Sequence, residues 1–265
     1  MTPLQRAVKY CAICFAFVLI IGIFGSIASA FAGISFAFGS KKAIGKIETY
    51  NIADDIKTLK IDIKASSLDI VTGDEVKVES NNKYVKVKNK NGCLSVKEKY
   101  KIIASGAEVK VTLPKSIMLQ SADIDCGAGP VYIENISAQK LVLDLGAGKA
   151  NIKNVIAEKN AKIDAGAGKL KISDGKLHDL RLDLGVGETD LRAALTGDNN
   201  IDHGIGSLFL ELCGDKESYK VIIDKGIGKA TVDGDEVEDG YTTGEGDNTV
   251  KIDGGIGNMR LNFAG

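Results

Sequence analysis

Residues Asp144 to Lys149 read DLGAGK, and Asp164 to Lys169 read DAGAGK. A glycine-rich turn running into Lys is the arrangement in which backbone amides and an ammonium cradle phosphate. That loop needs G-x-x-x-x-G-K-[ST], but Ala150 and Leu170 follow the two lysines. The dinucleotide version needs a third glycine where Asn151 stands. Both versions also open a helix, whereas the residues that follow here alternate with strand period. The aspartate offers other chemistry. Two carboxylates about 5 Å apart serve a retaining glycosidase, and several carboxylate oxygens suit Ca²⁺.

The motif is not confined to two places. IDCGAGPVYI begins at Ile124, LDLGAGKANI at Leu143, IDAGAGKLKI at Ile163 and LDLGVGETDL at Leu182. IDHGIGSLFL begins at Ile201, IDKGIGKATV at Ile223 and IDGGIGNMRL at Ile252. The shared pattern is h-D-x-G-h-G-x-h-x-h, where h is apolar. Its glycine pairs are Gly127 and Gly129, Gly146 and Gly148, Gly166 and Gly168, Gly185 and Gly187, Gly204 and Gly206, Gly226 and Gly228, and Gly255 and Gly257. The first glycines are separated by 19, 20, 19, 19, 22 and 29 residues. A period near 20 marks a solenoid whose repeats bury their apolar faces on one another.

The elements that position these residues follow from the alternation. Ala161, Ile163, Ala165 and Ala167 point one way, and Lys162 and Asp164 the other. Beyond Gly168 the phase reverses, with Leu170 and Ile172 inward and Lys169 and Lys171 outward. A reversal of phase in a period-two pattern is a corner, and the second glycine supplies its backbone freedom. Each repeat is therefore one coil of a β-solenoid, with equivalent residues about 4.8 Å apart in the stack.

Repetition governs the reading of the aspartates Asp125, Asp144, Asp164, Asp183, Asp202, Asp224 and Asp253. A ligand site need occur once, and this residue recurs in every coil. The expectation is that each Asp accepts hydrogen bonds from amides of its glycine turn. Asp144, Asp164, Asp183 and Asp202 are the calcium candidates if the column faces outward in register. Catalysis is not expected, because seven equivalent acids give no pair with separated pKa values. Lys149, Lys169 and Lys229 stand just beyond the glycines, where they offset repulsion within the column.

The first 40 residues are a different material. From Tyr10 to Ser40 no residue is charged, long enough for one membrane-spanning helix. Ala28 to Ala30 also fit a signal-peptide cleavage site, but the chain stays apolar through Phe38, which favours an uncleaved anchor. Either way the remainder is expected outside the cytoplasm. Cys11 and Cys14 lie inside this segment, without the polar context of a redox pair. Cys93, Cys126 and Cys213 are odd in number, which excludes a complete disulfide framework.

Residues 41–120 form an N-terminal β cap containing degenerate first coils, and residues 121–265 hold the repeats. IDIKASSLDI, from Ile61, echoes the motif with Lys64 and Ser66 in place of the glycines. Asn91-Gly92 signals a hairpin. From Lys83 to Lys115 there are nine lysines and two acids, and from Asp233 to Asp247 seven acids and no base. The net charge of −1 gives no global attraction to nucleic acid. His178 and His203 fall in different coils, His203 at an inward position, and there is no Trp for a sugar platform.

An apolar N-terminal segment, a β cap ending in VTLP and successive D-x-G-h-G coils resemble the bacterial "putative-adhesin" β-solenoid family, a domain of unknown function. The resemblance covers about residues 45–263. It implies an all-β, right-handed β-helix-like fold in a membrane-anchored, extracytoplasmic protein, acting in adhesion or as an envelope scaffold. It implies no catalytic residues and no cofactor. The partners expected are the membrane, through the N-terminal helix, and an envelope polymer or another surface protein. The alternatives are a polysaccharide-acting enzyme on a β-helix and a sensory accessory of an envelope-stress system.

Overall fold

The computed structural model describes residues 44–52, 55–99 and 106–264. The expected anchor over residues 1–40, with Cys11, Cys14 and the cleavage site at Ala30, lies outside the described residues. Among the described residues, no helix is long and apolar enough to cross a membrane. Their regular structure is all strand except for one 3₁₀ turn at Lys216–Ser218. Cys93, Cys126 and Cys213 are free thiols.

The middle of the chain winds as long bent strands, Val131–Ile172, Leu180–Thr196 and Asp198–Cys213. Parallel pairing holds equivalent residues in register. Leu182 lies opposite Ile163 on one side and Ile201 on the other, and Asp183 opposite Asp164 and Asp202. The inward column Ile61, Ile124, Leu143, Ile163, Leu182, Ile201, Ile252 and Ile223 is buried throughout. Each such side chain contributes about 1.5–3 kcal/mol relative to exposure. The phase reversal falls at the second glycine: Ala161 and Ile163 are buried before it, Leu170 and Ile172 after it.

Coil order in space departs from order in sequence at both ends. The Thr58–Ile63 strand pairs with Cys93–Glu98 on one side and with Leu119–Ala128 on the other. The first coil is thus enclosed by two later segments. At the far end the last strand, Asn248–Ala264, enters between the Asp202 coil and the Asp224 coil, parallel to both. The 29-residue step covers this excursion. Residues Asp235–Val237 and Tyr241–Thr243 first clip antiparallel onto Ile227–Val232 and Tyr219–Asp224. The returning strand then finds partners on both edges, and no long flat edge is left for aggregation.

The other end is closed in the same way. Lys77–Asn82 runs antiparallel to Glu108–Leu113, and Ile44–Asn51 antiparallel to Lys77–Asn82. Val85–Lys90 folds back on Cys93–Glu98 through Asn91 and Gly92, whose φ values of 53° and 73° are those a type I′ turn requires. Beneath this cap Glu98 is only 1% exposed. One carboxylate oxygen accepts the amides of Lys64, Ala65 and Ser66; the other accepts the Ser66 hydroxyl and the Asn82 amide. Five donors compensate the burial of this charge.

Candidate functional site: the glycine corner and the aspartate column

The corner is built by close approach between coils. A Cβ placed on Gly185 would overlap the Gly166 carbonyl, and one on Gly187 the Gly168 carbonyl; the same holds for Gly204 and Gly206 against Gly185 and Gly187. The second glycine also takes a left-handed φ, +149° at Gly187 and +138° at Gly206. Both glycines are thus needed, the first for clearance and the second for clearance and conformation. In every case the missing Cβ points toward the coil nearer the N-terminal end. The Asp62 coil has Glu98 on that side instead of another corner, so Lys64 and Ser66 fit where the other coils need glycine.

The aspartates form one outward column. In space the order is Asp62, Asp125, Asp144, Asp164, Asp183, Asp202, Asp253, Asp224, with the register fixed by backbone pairing. Asp62 is an eighth member, in the degenerate coil. The expected bonds from aspartate to glycine amide are not present among the described residues. The partners are basic side chains, because residues two apart on a strand share a face. Lys162 reaches Asp164 at 2.7 Å, Lys251 reaches Asp253 at 3.2 Å and Arg181 approaches Asp183 at 3.8 Å. Lys64 joins Asp62 to Asp125, and Lys97 also reaches Asp62.

The lysines just beyond the glycines do not serve the column, contrary to expectation. Lys169 pairs with Glu188 of the next coil at 2.6 Å, and Lys229 with Glu236 at 3.0 Å. Lys149 has no ion-pair partner among the described residues. Lys171–Asp190 and Arg192–Glu211 continue the coil-to-coil pairing on the second face. These exposed pairs fix register more than they add stability.

The column is electrostatically uneven, which corrects the expectation of equivalent acids. Burial opposes ionisation of Asp164, but Lys162 and the neighbouring Asp183 outweigh it and hold its pKa below the ordinary value. Asp183 has only the looser Arg181; burial first, and then its neighbours Asp202 and Asp164, push it up to about 6. Asp144 is raised by burial and by Asp125 and Asp164. Asp164 and Asp183 are therefore adjacent carboxylates with separated pKa values. The calcium candidates Asp144, Asp164, Asp183 and Asp202 stand in a single row. Among the described residues, no group of three or more His, Cys, Asp or Glu is placed to hold a metal ion.

Inside the corner lies an apolar cavity, lined by Leu145, Ala165, Ala167, Leu184, Val186 and His203 among others. His203 is 6% exposed, and neither ring nitrogen has a hydrogen-bond partner. Burial depresses its pKa; the nearby Gly206 backbone opposes this without closing a bond. Asp202 points outward and His203 inward from the same strand, so the imidazole cannot act on the carboxylates. His178 sits elsewhere, 2.9 Å from the Thr196 hydroxyl. Cys126 faces the same cavity, and burial pushes its thiol up to about 12, which leaves it inert.

The parallel coils, paired glycines and aspartate column define an open, all-β solenoid. The chain belongs to the Toastrack DUF4097 family, whose model matches residues 50–253. A solved "putative cell adhesion protein" from Clostridium sporogenes is 19% identical, with 83% of this chain and 99% of that one covered and a TM-score of 0.35. A "putative adhesin" from Bacteroides fragilis is 12% identical, with 84% and 98% covered and a TM-score of 0.38. A "putative lipid binding protein" from Parabacteroides distasonis is 11% identical, with 81% and 97% covered and a TM-score of 0.28. No curated protein matches the sequence.

Proposed function

We propose that this protein is a non-catalytic surface component of the cell envelope, anchored in the membrane by residues 1–40, with a right-handed solenoid outside the cytoplasm that binds or scaffolds envelope material. The observation that carries this reading is the repeated outer face. Eight aspartates in register, five of them (Asp62, Asp125, Asp164, Asp183 and Asp253) with a basic side chain beside them, present a long surface of one chemistry. Such a surface suits a repetitive partner, as an envelope polymer is, better than a single small substrate. The test is binding of the full-length protein to isolated wall and membrane fractions, with and without Ca²⁺. Saturable binding is expected; no binding in either condition contradicts the reading.

The enzyme alternative is favoured by one observation, the separated pKa values of Asp164 and Asp183, since paired acid and base groups are tuned in this way. Against it, neither carboxylate lines the corner cavity or the groove near Ile52 and Ile117. The column lies on an open face, where water is not excluded from a reacting bond.

A further inference from the structure

The cap holds a set of cations that the solenoid does not neutralise. Six lysines lie between residues 83 and 99, and among them only Lys97 has a carboxylate partner among the described residues, Asp62. Backbone register places them together. Lys86 lies opposite Lys97, which lies opposite Asp62; Lys88 lies opposite Ser95, which lies opposite Lys60. Two carboxylates border this patch: Asp62, already shared by Lys64 and Lys97, and the exposed Asp123, which lies opposite Lys60 in the backbone register. Lys60, Lys83, Lys86, Lys88, Lys90 and Lys99 are all exposed.

The patch also surrounds the point where the chain enters the fold. Ile44 pairs with Asn82, and Gly45 lies beside the Lys83 side chain. Residues 1–43 therefore join the solenoid at its most basic corner. The opposite end carries the acidic clip with Asp235, Glu236, Glu238 and Asp239. Lysines on an edge strand also deter strand pairing, which accounts for Lys86, Lys88 and Lys90. It does not account for Lys60, Lys83 or Lys99, which lie off that strand.

We infer that the N-terminal end of the solenoid, through Lys60, Lys83, Lys86, Lys88, Lys90 and Lys99, is a docking surface for the phosphates of anionic lipid headgroups. Lysines within a Debye length of an anionic surface are attracted to it, and the attraction is screened by salt. The occupant follows from chain entry, because a segment that enters a bilayer brings this corner to the headgroups. The inference rests on reading residues 1–40 as a membrane anchor. Docking sets the solenoid on its basic end, with the acidic clip away from the bilayer.

The test uses the full-length protein in neutral phosphatidylcholine vesicles and in vesicles containing phosphatidylglycerol, with amine labelling read lysine by lysine. Reactivity of Lys83, Lys86, Lys88 and Lys90 should fall about fivefold in the anionic vesicles and recover at high salt. Lys149, Lys159 and Lys176 should not change. The triple change Lys83→Glu, Lys86→Glu, Lys88→Glu should abolish the protection of the remaining reporter Lys90, and the corresponding Arg changes should keep Lys90 protected. Equal labelling in both vesicles overturns the inference. So does equal protection by inorganic phosphate in detergent. Protection that depends on protein concentration but not on lipid assigns the patch to a second copy, and overturns it too. Failure of the anchor reading shows separately, as failure to float with neutral vesicles.

Discussion

Gly187 shows what the corner demands of a single residue. Its φ of +149° disfavours any side chain, and a Cβ would overlap the Gly168 carbonyl. Gly187→Ala should cost at least about 3 kcal/mol, since strain and overpacking add. Gly234 has a φ of +93° and nothing near its missing Cβ, so Gly234→Ala should cost only about 1–2 kcal/mol. Chemical denaturation of the two variants measures the difference. His203 is a second single-residue case. Its folded pKa lies below the unfolded value, so the unfolded chain takes up the proton first. Stability should be full above about pH 6.5 and fall as pH drops below it. His203→Leu matches Leu184 one coil away and removes an unpaired buried imidazole. It should add roughly 1–2 kcal/mol at neutral pH and flatten that slope, as read by melting temperature against pH.

Within the aspartate column, neighbours of one residue type should respond oppositely. The folded pKa of Asp183 lies above its unfolded value, so its ionisation between about pH 4 and about 6 weakens the fold. Asp183→Asn should therefore be neutral or stabilising at pH 7, with any gain disappearing below pH 4. Asp164 is depressed, so it stabilises above its unfolded pKa, and that contribution is lost as pH falls through the lower folded value. Asp164→Asn should cost up to about 1 kcal/mol at pH 7, the scale of an exposed pair. Thermal melts at both pH values decide it.

At the scale of the element, the coil was legible because its signals are local. The reversal of alternation across Gly168 and the glycine pairs are properties of ten consecutive residues, and IDIKASSLDI showed its kinship despite Lys64 and Ser66. Coil order was not legible. Whether Asn248–Ala264 stacks outside the Asp224 coil or inside it depends on which edge the returning chain finds, and the repeat reads the same either way. The partners of the aspartates were misjudged for a related reason. A turn amide and a lysine two residues away are both local, and only geometry chooses between them. Glu98 shares the parity of Leu94 and Val96, so alternation places it on the inward face, but the amides that compensate its charge come from residues 64–66 and are not legible locally. The inserted order predicts that Ser207→Cys with Asn258→Cys closes a disulfide readily, since these residues are direct partners. Ser207→Cys with Lys229→Cys should not close, because the Asp253 coil stands between them. Gel mobility under oxidising conditions distinguishes the two.

Among the described residues, basic charge gathers at the end where Ile44 enters the fold and acidic charge at the other, with a regular outer face between them. That layout suits a body held at one end that meets a repetitive surface along its length. The central claim is that the aspartate column holds and presents material without transforming it. The most direct measurement incubates the full-length protein, and its Asp164→Asn variant, with purified envelope polymer and follows both bound protein and released fragments. The account predicts saturable binding and no fragments from either protein. Release of polymer fragments by the native chain, lost in an Asp164→Asn variant that still folds, would contradict it.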